Sequence, residues 1–403
     1  MRALTSQCCI AGGGPAGLMM GYLLARSGVD VIVLEKHADF LRDFRGDTVH
    51  PSTLELFREL GLLDGLLSRP YQKTERISVT VNGRRYDLAD FTRLPVHSKF
   101  VAMMPQWDLL DFIADQARKL PNFRLMMSTE AKALVEADGR IQGVTAQSPD
   151  GLIDVRSVLT VAADGRDSRL RAQSGLEVKD LGAPIDVFWM RLPRVPDGVG
   201  ESFGTLGAGG FLVQINRGDY WQCALPVPKG GADTIRAEGL EAFRARLTRL
   251  APGLAGVAET LTSWDDIKLL TVQVNRLKTW RREGLLCIGD ASHAMSPIGG
   301  VGINLAVQDA VAAARILAPH LRRDEAPEQA LAAVQKRREL PTRLTQRAQI
   351  AAQDRVLLPV LTQAEPPKAP LFLKVLDHVP FLRGFTARAV GIGARPEHWY
   401  NEP

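Results

Sequence analysis

The stretch Gln7–Gly17, reading QCCIAGGGPAG, decides the fold. Gln7–Ala11 is short, apolar and closed by glycine, which reads as a buried strand. Pro15 to Ser27 has helical periodicity, and Gly28 supplies a C-terminal cap. Val31–Leu34 is a second, β-branched strand that ends at Glu35. Strand, helix and strand fit within roughly 35 residues, the size of one parallel crossover unit. Gly12, Gly14 and Gly17 form G-x-G-x-x-G at the strand-to-helix turn. The first glycine makes a tight turn, the second lets a pyrophosphate approach the backbone, and the third lets helix and strand pack closely. The helix N-terminus then offers free N–H groups and a partial positive charge to the phosphates. Glu35 lies where a carboxylate accepts hydrogen bonds from ribose hydroxyls, and its charge argues against a 2′-phosphate. The pattern predicts a dinucleotide site. The alternative is a glycine-rich turn with Glu35 solvated.

The rest of the chain is compatible with that unit. Its 403 residues give room for two or three domains. Hydrophobic residues make up 45% and charged residues 24%, which excludes disorder, collagen and a disulfide-stapled mini-protein. The net charge of +5 is interspersed and far from a nucleic-acid signature, so no nucleic-acid partner is expected. No apolar run approaches the roughly 18–20 residues of a spanning helix, so no membrane span is expected. Cys8, Cys9, Cys223 and Cys287 show no C-x-x-C or Cys/His spacing, so reduced thiols and no metal are expected. Gly12–Pro15 breaks what would otherwise resemble a signal peptide, and a cytoplasmic location is the expectation.

Further along, Pro51 to Leu60 and Gln106 to Leu120 read as helices. Ile77–Val81, Asn82-Gly83 and Arg84–Leu88 read as a hairpin, because Asn-Gly suits a type I′ turn. Phe123–Met127 reads as a strand of the parallel sheet, and Ala131 to Ala163 as a three-stranded meander. From Ile185 to about Val274 aromatic strands and one helix, Ala237–Leu250, suit an α+β unit. Leu285–Ile288 returns to a buried strand and Gly302 to Leu321 to a long helix. Glu328–Arg355 is helical by propensity.

Two later segments carry motifs of their own. One runs from Val161 through Asp164-Gly165-Arg166 to Arg171. The other runs from Cys287 through Gly289-Asp290-Ala291-Ser292-His293, Pro297, Gly300 and Gly302 to Asn304 and Asp309. With the glycine turn, these resemble the three motifs of the single-component flavoprotein aromatic hydroxylases of the para-hydroxybenzoate hydroxylase type. The resemblance spans Gln7 to about Leu321. It implies an α/β fold: a Rossmann-like FAD-binding domain with an inserted α+β substrate domain and a C-terminal helical segment. The FAD-binding domain would comprise residues 1–75, 98–182 and 275–325, the substrate domain 76–97 and 183–274, and the helical segment 326–403.

That resemblance implies tightly bound, non-covalent FAD, NADPH or NADH as transient co-substrate, and O2. The reduced flavin would form a C4a-hydroperoxide that hydroxylates an aromatic or aromatic-like small molecule. FAD-binding positions would be Gly12, Gly14, Pro15, Ala16, Gly17, Glu35, Lys36, Arg45, Gln106, Asp164, Gly165, Gly289, Asp290, Gly300, Gly302, Ile303 and Asn304. Asp290 would bind the ribityl chain, although a helix N-cap is the plain alternative. Asp164-Gly165 has an Asp-Gly turn as its alternative, and Arg171 a structural pairing with Asp164. Gly302-Ile303-Asn304 opens a helix whose dipole favours the anionic edge of reduced flavin. Val301 stands where many relatives carry glutamine.

No clean general base is visible. His50 and Pro297 are the catalytic candidates, His50 before a helix start and Pro297 beside the substrate in the family. His293 and His97 are further histidines with structural alternatives. Phe188, Trp189, Phe203, Phe211, Tyr220 and Trp221 are candidate walls for an apolar or aromatic substrate, and about half should face away. Arg191 and Arg217 are candidates for a substrate carboxylate or for solvation. A monomer or homodimer is expected. Other flavin enzymes on this scaffold, a halogenase or a polyprenyl reductase, remain open. None of the six tryptophans makes the halogenase W-x-W-x-I-P. A binding protein like the Rab-GDP dissociation inhibitors is the non-enzymatic alternative.

Overall fold

The computed structural model describes residues 2–41, 48–194, 204–208, 210–363 and 368–400. Arg45 and Phe203 lie outside them. Strand β1 (Arg2–Ala11) turns through the glycines into α1 (Pro15–Arg26) and returns as β2 (Val31–Leu34). Helix α2 (Pro51–Glu59) precedes the hairpin β3 (Arg76–Val81) and β4 (Arg84–Asp90). Helix α3 (Gln106–Ala117) leads to β5 (Phe123–Met126), then to β6 (Glu130–Ala137), β7 (Arg140–Ser148) and β8 (Gly151–Ala162). Next come β9 (Ile185–Pro193), β10 (Gly204–Gly207), β11 (Gly210–Asn216), β12 (Tyr220–Pro228), α4 (Leu240–Leu250) and β13 (Ile267–Leu270). Strand β14 (Leu285–Cys287) and helix α5 (Gly302–Leu321) follow. Helices α6 (Glu328–Ala352), α7 (Leu371–His378) and α8 (Leu382–Gly391) end the described chain.

The first sheet has the parallel order β14-β8-β1-β2-β5. Strand β8 is shared: Gly151–Arg156 pairs with β7, while Thr160–Ala162 pairs with β14. Register puts Ala11 beside both Leu34 and Ala162, and Ala162 beside Cys287. Four carboxyl ends are therefore neighbours on one edge. In open α/β sheets, ligands bind at such a crevice. Helix α1 packs between the sheet, α3 and α5. Its Leu18, Leu23 and Leu24 have no exposed surface, and burying a leucine contributes about 1.5–3 kcal/mol. All four cysteines are buried free thiols. Burial pushes Cys9 and Cys223 up to about 12.

The second sheet has the order β13-β9-β12-β11-β10-β3-β4. The β3–β4 hairpin turns on Asn82 and Gly83, with φ of 49° and 79°, as a type I′ turn requires. Alternation assigns two faces. Phe188, Met190, Leu212, Trp221 and Cys223 pack under α4. The Phe188 and Phe243 rings meet edge to face at 5.5 Å. Val187, Trp189, Phe211, Val213 and Ala224 occupy the other face, against Ile298, Ile350 and Leu357. Phe188 and Trp221 are thus core residues, not walls of a substrate site.

Helix α5 differs from the expectation that no segment is long and apolar enough to cross a membrane. Ile298–Leu321 passes that test by length and composition, but 78% of the apolar window is buried in the molecule. Its hydropathy belongs to a core helix.

Candidate active site

The glycine turn fits its spacing atom by atom. Gly12 has φ +110°, and a Cβ there would lie 2.3 Å from the Ala163 carbonyl oxygen. A Cβ on Gly17 would lie 1.9 Å from the Gly12 carbonyl oxygen. Around Gly14, by contrast, a Cβ would meet nothing within 4 Å. The same holds at Gly302, the start of α5. Two helix N-termini therefore face open space, a cradle that a phosphate chain and a flavin ring edge would fill. Pro15 and Ala16 form the first turn of α1. The Glu35 carboxylate is buried and accepts the Gly13 N–H at 2.8 Å and the His37 N–H at 3.0 Å. Lys36 beside it is exposed. Gln106 starts α3 and is half-buried.

The third motif leaves β14 as a short 3-10 turn, Gly289–Ala291. The Asp290 side chain caps no helix, so the N-cap alternative does not hold. It faces Arg166 of the second motif at 3.4 Å. Asp164 accepts from the Ser168 hydroxyl at 2.5 Å and the Leu170 N–H at 3.3 Å, which fixes the turn at Gly165. Arg171 does not pair with Asp164. It donates to the Arg166 carbonyl at 2.6 Å and the Ala291 carbonyl at 3.2 Å, joining the second motif to the third.

Gly299 and Gly300 have φ of 78° and 61°, so the chain reaches α5 through two left-handed residues. The Thr48 hydroxyl donates to the Gly300 carbonyl at 2.7 Å. Asn304 is buried and uses all its side-chain valences. Its amide donates to the Thr48 and Gly300 carbonyls, and its oxygen accepts from the His50 N–H at 2.9 Å and the Thr53 hydroxyl at 2.7 Å. The backbone N–H groups of Gly302, Ile303 and Asn304, in the first turn of α5, have no carbonyl partner within the helix and can serve a ligand. His50 Nδ1 donates to the Val390 carbonyl at 2.8 Å, and burial pulls the imidazole down to about 4. Pro297 is half-buried and accepts the Gly300 N–H at 3.0 Å.

Other candidates sit elsewhere. His97 is exposed. Arg191 stacks on Tyr220 at 3.8 Å and faces Asp219 on the surface. Arg217 donates to Gln222 at 3.0 Å.

Two features escaped the sequence reading. The first is a buried charge network behind the third motif. Asp309 accepts from the Gly289 N–H at 3.2 Å, meets His293 Nε2 at 2.5 Å and accepts from Arg338 at 3.0 Å. Arg338, fully buried on α6, also donates to Glu397, which Arg337 contacts at 2.6 Å. Burial alone would raise the Asp309 carboxyl; His293 and Arg338 outweigh it and hold it below the usual range. The second is a ladder of glutamines on α6 and the turn that directly follows it. Gln346 donates to the Asn275 and Ala294 carbonyls, Gln349 to Ser296 and Ile298, and Gln353 to the Ser296 hydroxyl. The loop carrying Pro297 is thereby tied to the C-terminal helix.

A family model described as FAD binding domain matches residues 5–348. Among curated proteins, a 6-methylpretetramide 4-monooxygenase of Streptomyces rimosus is 33% identical over 370 residues, covering 91% of this chain and 88% of that protein. A dialkyldecalin synthase of Streptomyces rugosporus is 26% identical over 321 residues, 75% of this chain and 63% of that longer protein. Among solved structures, p-nitrophenol 4-monooxygenase PnpA from Pseudomonas putida matches with a TM-score of 0.76 at 20% identity, covering 97% of each chain. That last likeness is one of fold.

Proposed function

This chain belongs to the FAD binding domain family of flavoprotein monooxygenases, and from that premise we propose how its own residues serve the reaction. The protein is an FAD-dependent monooxygenase that uses NAD(P)H and O2. Bound FAD supplies the redox chemistry, taking electrons from NAD(P)H and activating O2. Gly12, Gly14 and Gly17 with Pro15 and Ala16 cradle the pyrophosphate on α1, and Glu35 with Lys36 takes the adenosine ribose. Asp290 with Gly289 takes the ribityl chain, beside Asp164 and Gly165. Gly302, Ile303 and Asn304 meet the ring edge through backbone N–H groups, Gly300 forms the turn that leads into them, and Gln106 and Arg45 complete the cofactor set.

The observation that carries this reading is the meeting of three motif loops on one sheet edge, with the two open helix N-termini of α1 and α5. A dipole at the α5 start favours negative charge on the reduced ring without any charged side chain. His50 is neutral at pH 7 and offers only Nε2 as an acceptor, so as an acid–base group it is weak. Pro297 shapes the approach to the ring. Water exclusion falls to the apolar face of Trp189, Phe211 and Val213. We assign residues 1–75, 98–182 and 275–325 to the cofactor domain, 76–97 and 183–274 to the substrate domain, and 326–403 to a helical cover.

An apolar, aromatic substrate suits that face, and p-nitrophenol, which PnpA is named for, belongs to the same broad class. The test is NAD(P)H consumption against phenols of increasing ring number, with H2O2 measured in parallel. Substrate-accelerated consumption with little H2O2 is expected. Consumption that no aromatic accelerates, with all electrons recovered as H2O2, contradicts the substrate assignment.

A further inference from the structure

We propose that the outer face of helices α6, α7 and α8 docks on an anionic lipid surface. Of the twelve large apolar side chains exposed among the described residues, eight lie between Leu340 and Phe385. Each helix contributes. Helix α6 presents Leu344, α7 presents Leu371, Phe372 and Val375, and Phe381 and Phe385 stand at and on α8, with exposures from 41% to 76%. The spacing is helical: 371, 372 and 375 share one side of α7, while its Leu373 and Leu376 are buried on the other.

The three helices are linked at these positions. Phe381 and Phe385 meet edge to face at 5.2 Å. Arg383 of α8 donates to the Leu376 and Asp377 carbonyls, which joins α8 to α7. Leu344 and Phe385 line the same cavity of about 510 Å³ between α6 and α8, whose floor includes Ile298 and Val301. Eight exposed large apolar side chains gathered between Leu340 and Phe385 mark a contact surface rather than scattered surface hydrophobics.

Charge selects the occupant. Residues 336–397 hold eleven Lys and Arg against five Asp and Glu, whereas the whole chain has 50 against 45; with Arg337 and Arg338 engaged by Glu397, nine cations face four acids. Contrary to the expectation of an interspersed charge, the positive net charge is concentrated in this segment. Each helix carries one exposed cation beside its apolar stripe: Arg347 on α6, Lys374 on α7 and Arg388 on α8. Among the described residues none of these three makes an ion pair. Apolar residues rimmed by unpaired cations are the signature of a helix lying in the headgroup layer. A two-fold dimer across this face would set the same cations against themselves. An anionic bilayer neutralises them.

The test uses the full-length, FAD-loaded protein in flotation with vesicles of phosphatidylcholine alone, or of equal parts phosphatidylcholine and phosphatidylglycerol. The protein is expected to float with the anionic vesicles, to be released by high salt, and to stay behind with the neutral ones. Lys374→Gln with Arg388→Gln should lower the bound-to-free ratio on anionic vesicles at least about tenfold. Phe372→Ser with Phe381→Ser should do the same, with flavin content and melting temperature unchanged as the folding control. Wild-type protein that fails to float with either vesicle overturns the proposal, whatever the variants do. So does equal flotation of wild type and variants, or a dimer that Phe381→Ser dissociates while no vesicle binds. None of these outcomes bears on FAD binding, so the monooxygenase reading stands or falls separately.

Discussion

His50 carries its proton on Nδ1, because the Val390 carbonyl can only accept. Burial lowers the folded-state value from 6.5 to about 4, although the Val390 bond opposes the shift. Between those two values the unfolded chain binds the extra proton, so stability falls as pH drops through that window. The loss at pH 4 amounts to about 3 kcal/mol. In urea melts, the stability of wild type relative to His50→Gln should fall by that amount between pH 7 and pH 4. A pH-independent difference would show that the imidazole is already solvated. His50 itself was visible in the sequence, but its neutral state was not. That state depends on Val390, a tail residue 340 positions away.

The element that the sequence describes best is the strand–turn–helix at Gly12–Gly17, because every demand there is local. A Cβ at Gly12 collides with the Ala163 backbone, whereas one at Gly14 finds open space. The two glycines are therefore separable by mutation. Gly12→Ala should destabilise the apoprotein by several kcal/mol through clash and positive φ. Gly14→Ala should leave apoprotein melting within about 0.5 kcal/mol and weaken FAD affinity at least about tenfold. Fluorescence titration of apoprotein with FAD, beside thermal melts, checks both. Equal FAD affinity of Gly14→Ala and wild type would remove the pyrophosphate from that turn. The glutamine ladder of α6 shows the opposite case. In the sequence, Gln346, Gln349 and Gln353 are simply polar residues of a segment that is helical by propensity. Their partners, four carbonyls and the Ser296 hydroxyl, lie more than fifty residues earlier, and only tertiary packing brings them near. Gln349→Ala should expose two orphaned carbonyls at Ser296 and Ile298 and cost about 1–3 kcal/mol.

Across the whole molecule, the C-terminal helices are more than a lid on the sheet. Arg338 of α6 holds Asp309, Asp309 holds the Gly289 N–H, and Glu397 in the tail holds Arg338. The cofactor motif and the end of the chain are thus one buried ionic unit. Removing one partner of such a unit strands the other charge. Arg338→Met should therefore destabilise the protein by about 3–5 kcal/mol, and urea melts measure it. A loss below about 1 kcal/mol would mean that Asp309 finds another partner. None of this was legible in the motif strings, since Arg338 and Glu397 lie outside them. The arrangement of the sheet edge, in contrast, follows from three strand-ending motifs that any parallel sheet would bring side by side.

A monooxygenase places one atom of O2 in its product, and isotope labelling detects that atom. The FAD-loaded protein would turn over an accelerating aromatic substrate with NAD(P)H under 18O2. One 18O atom in each hydroxylated product is the predicted result. Hydroxylated product whose new oxygen is unlabelled and so derives from water, or no oxygenated product with all electrons passing to H2O2, would contradict it.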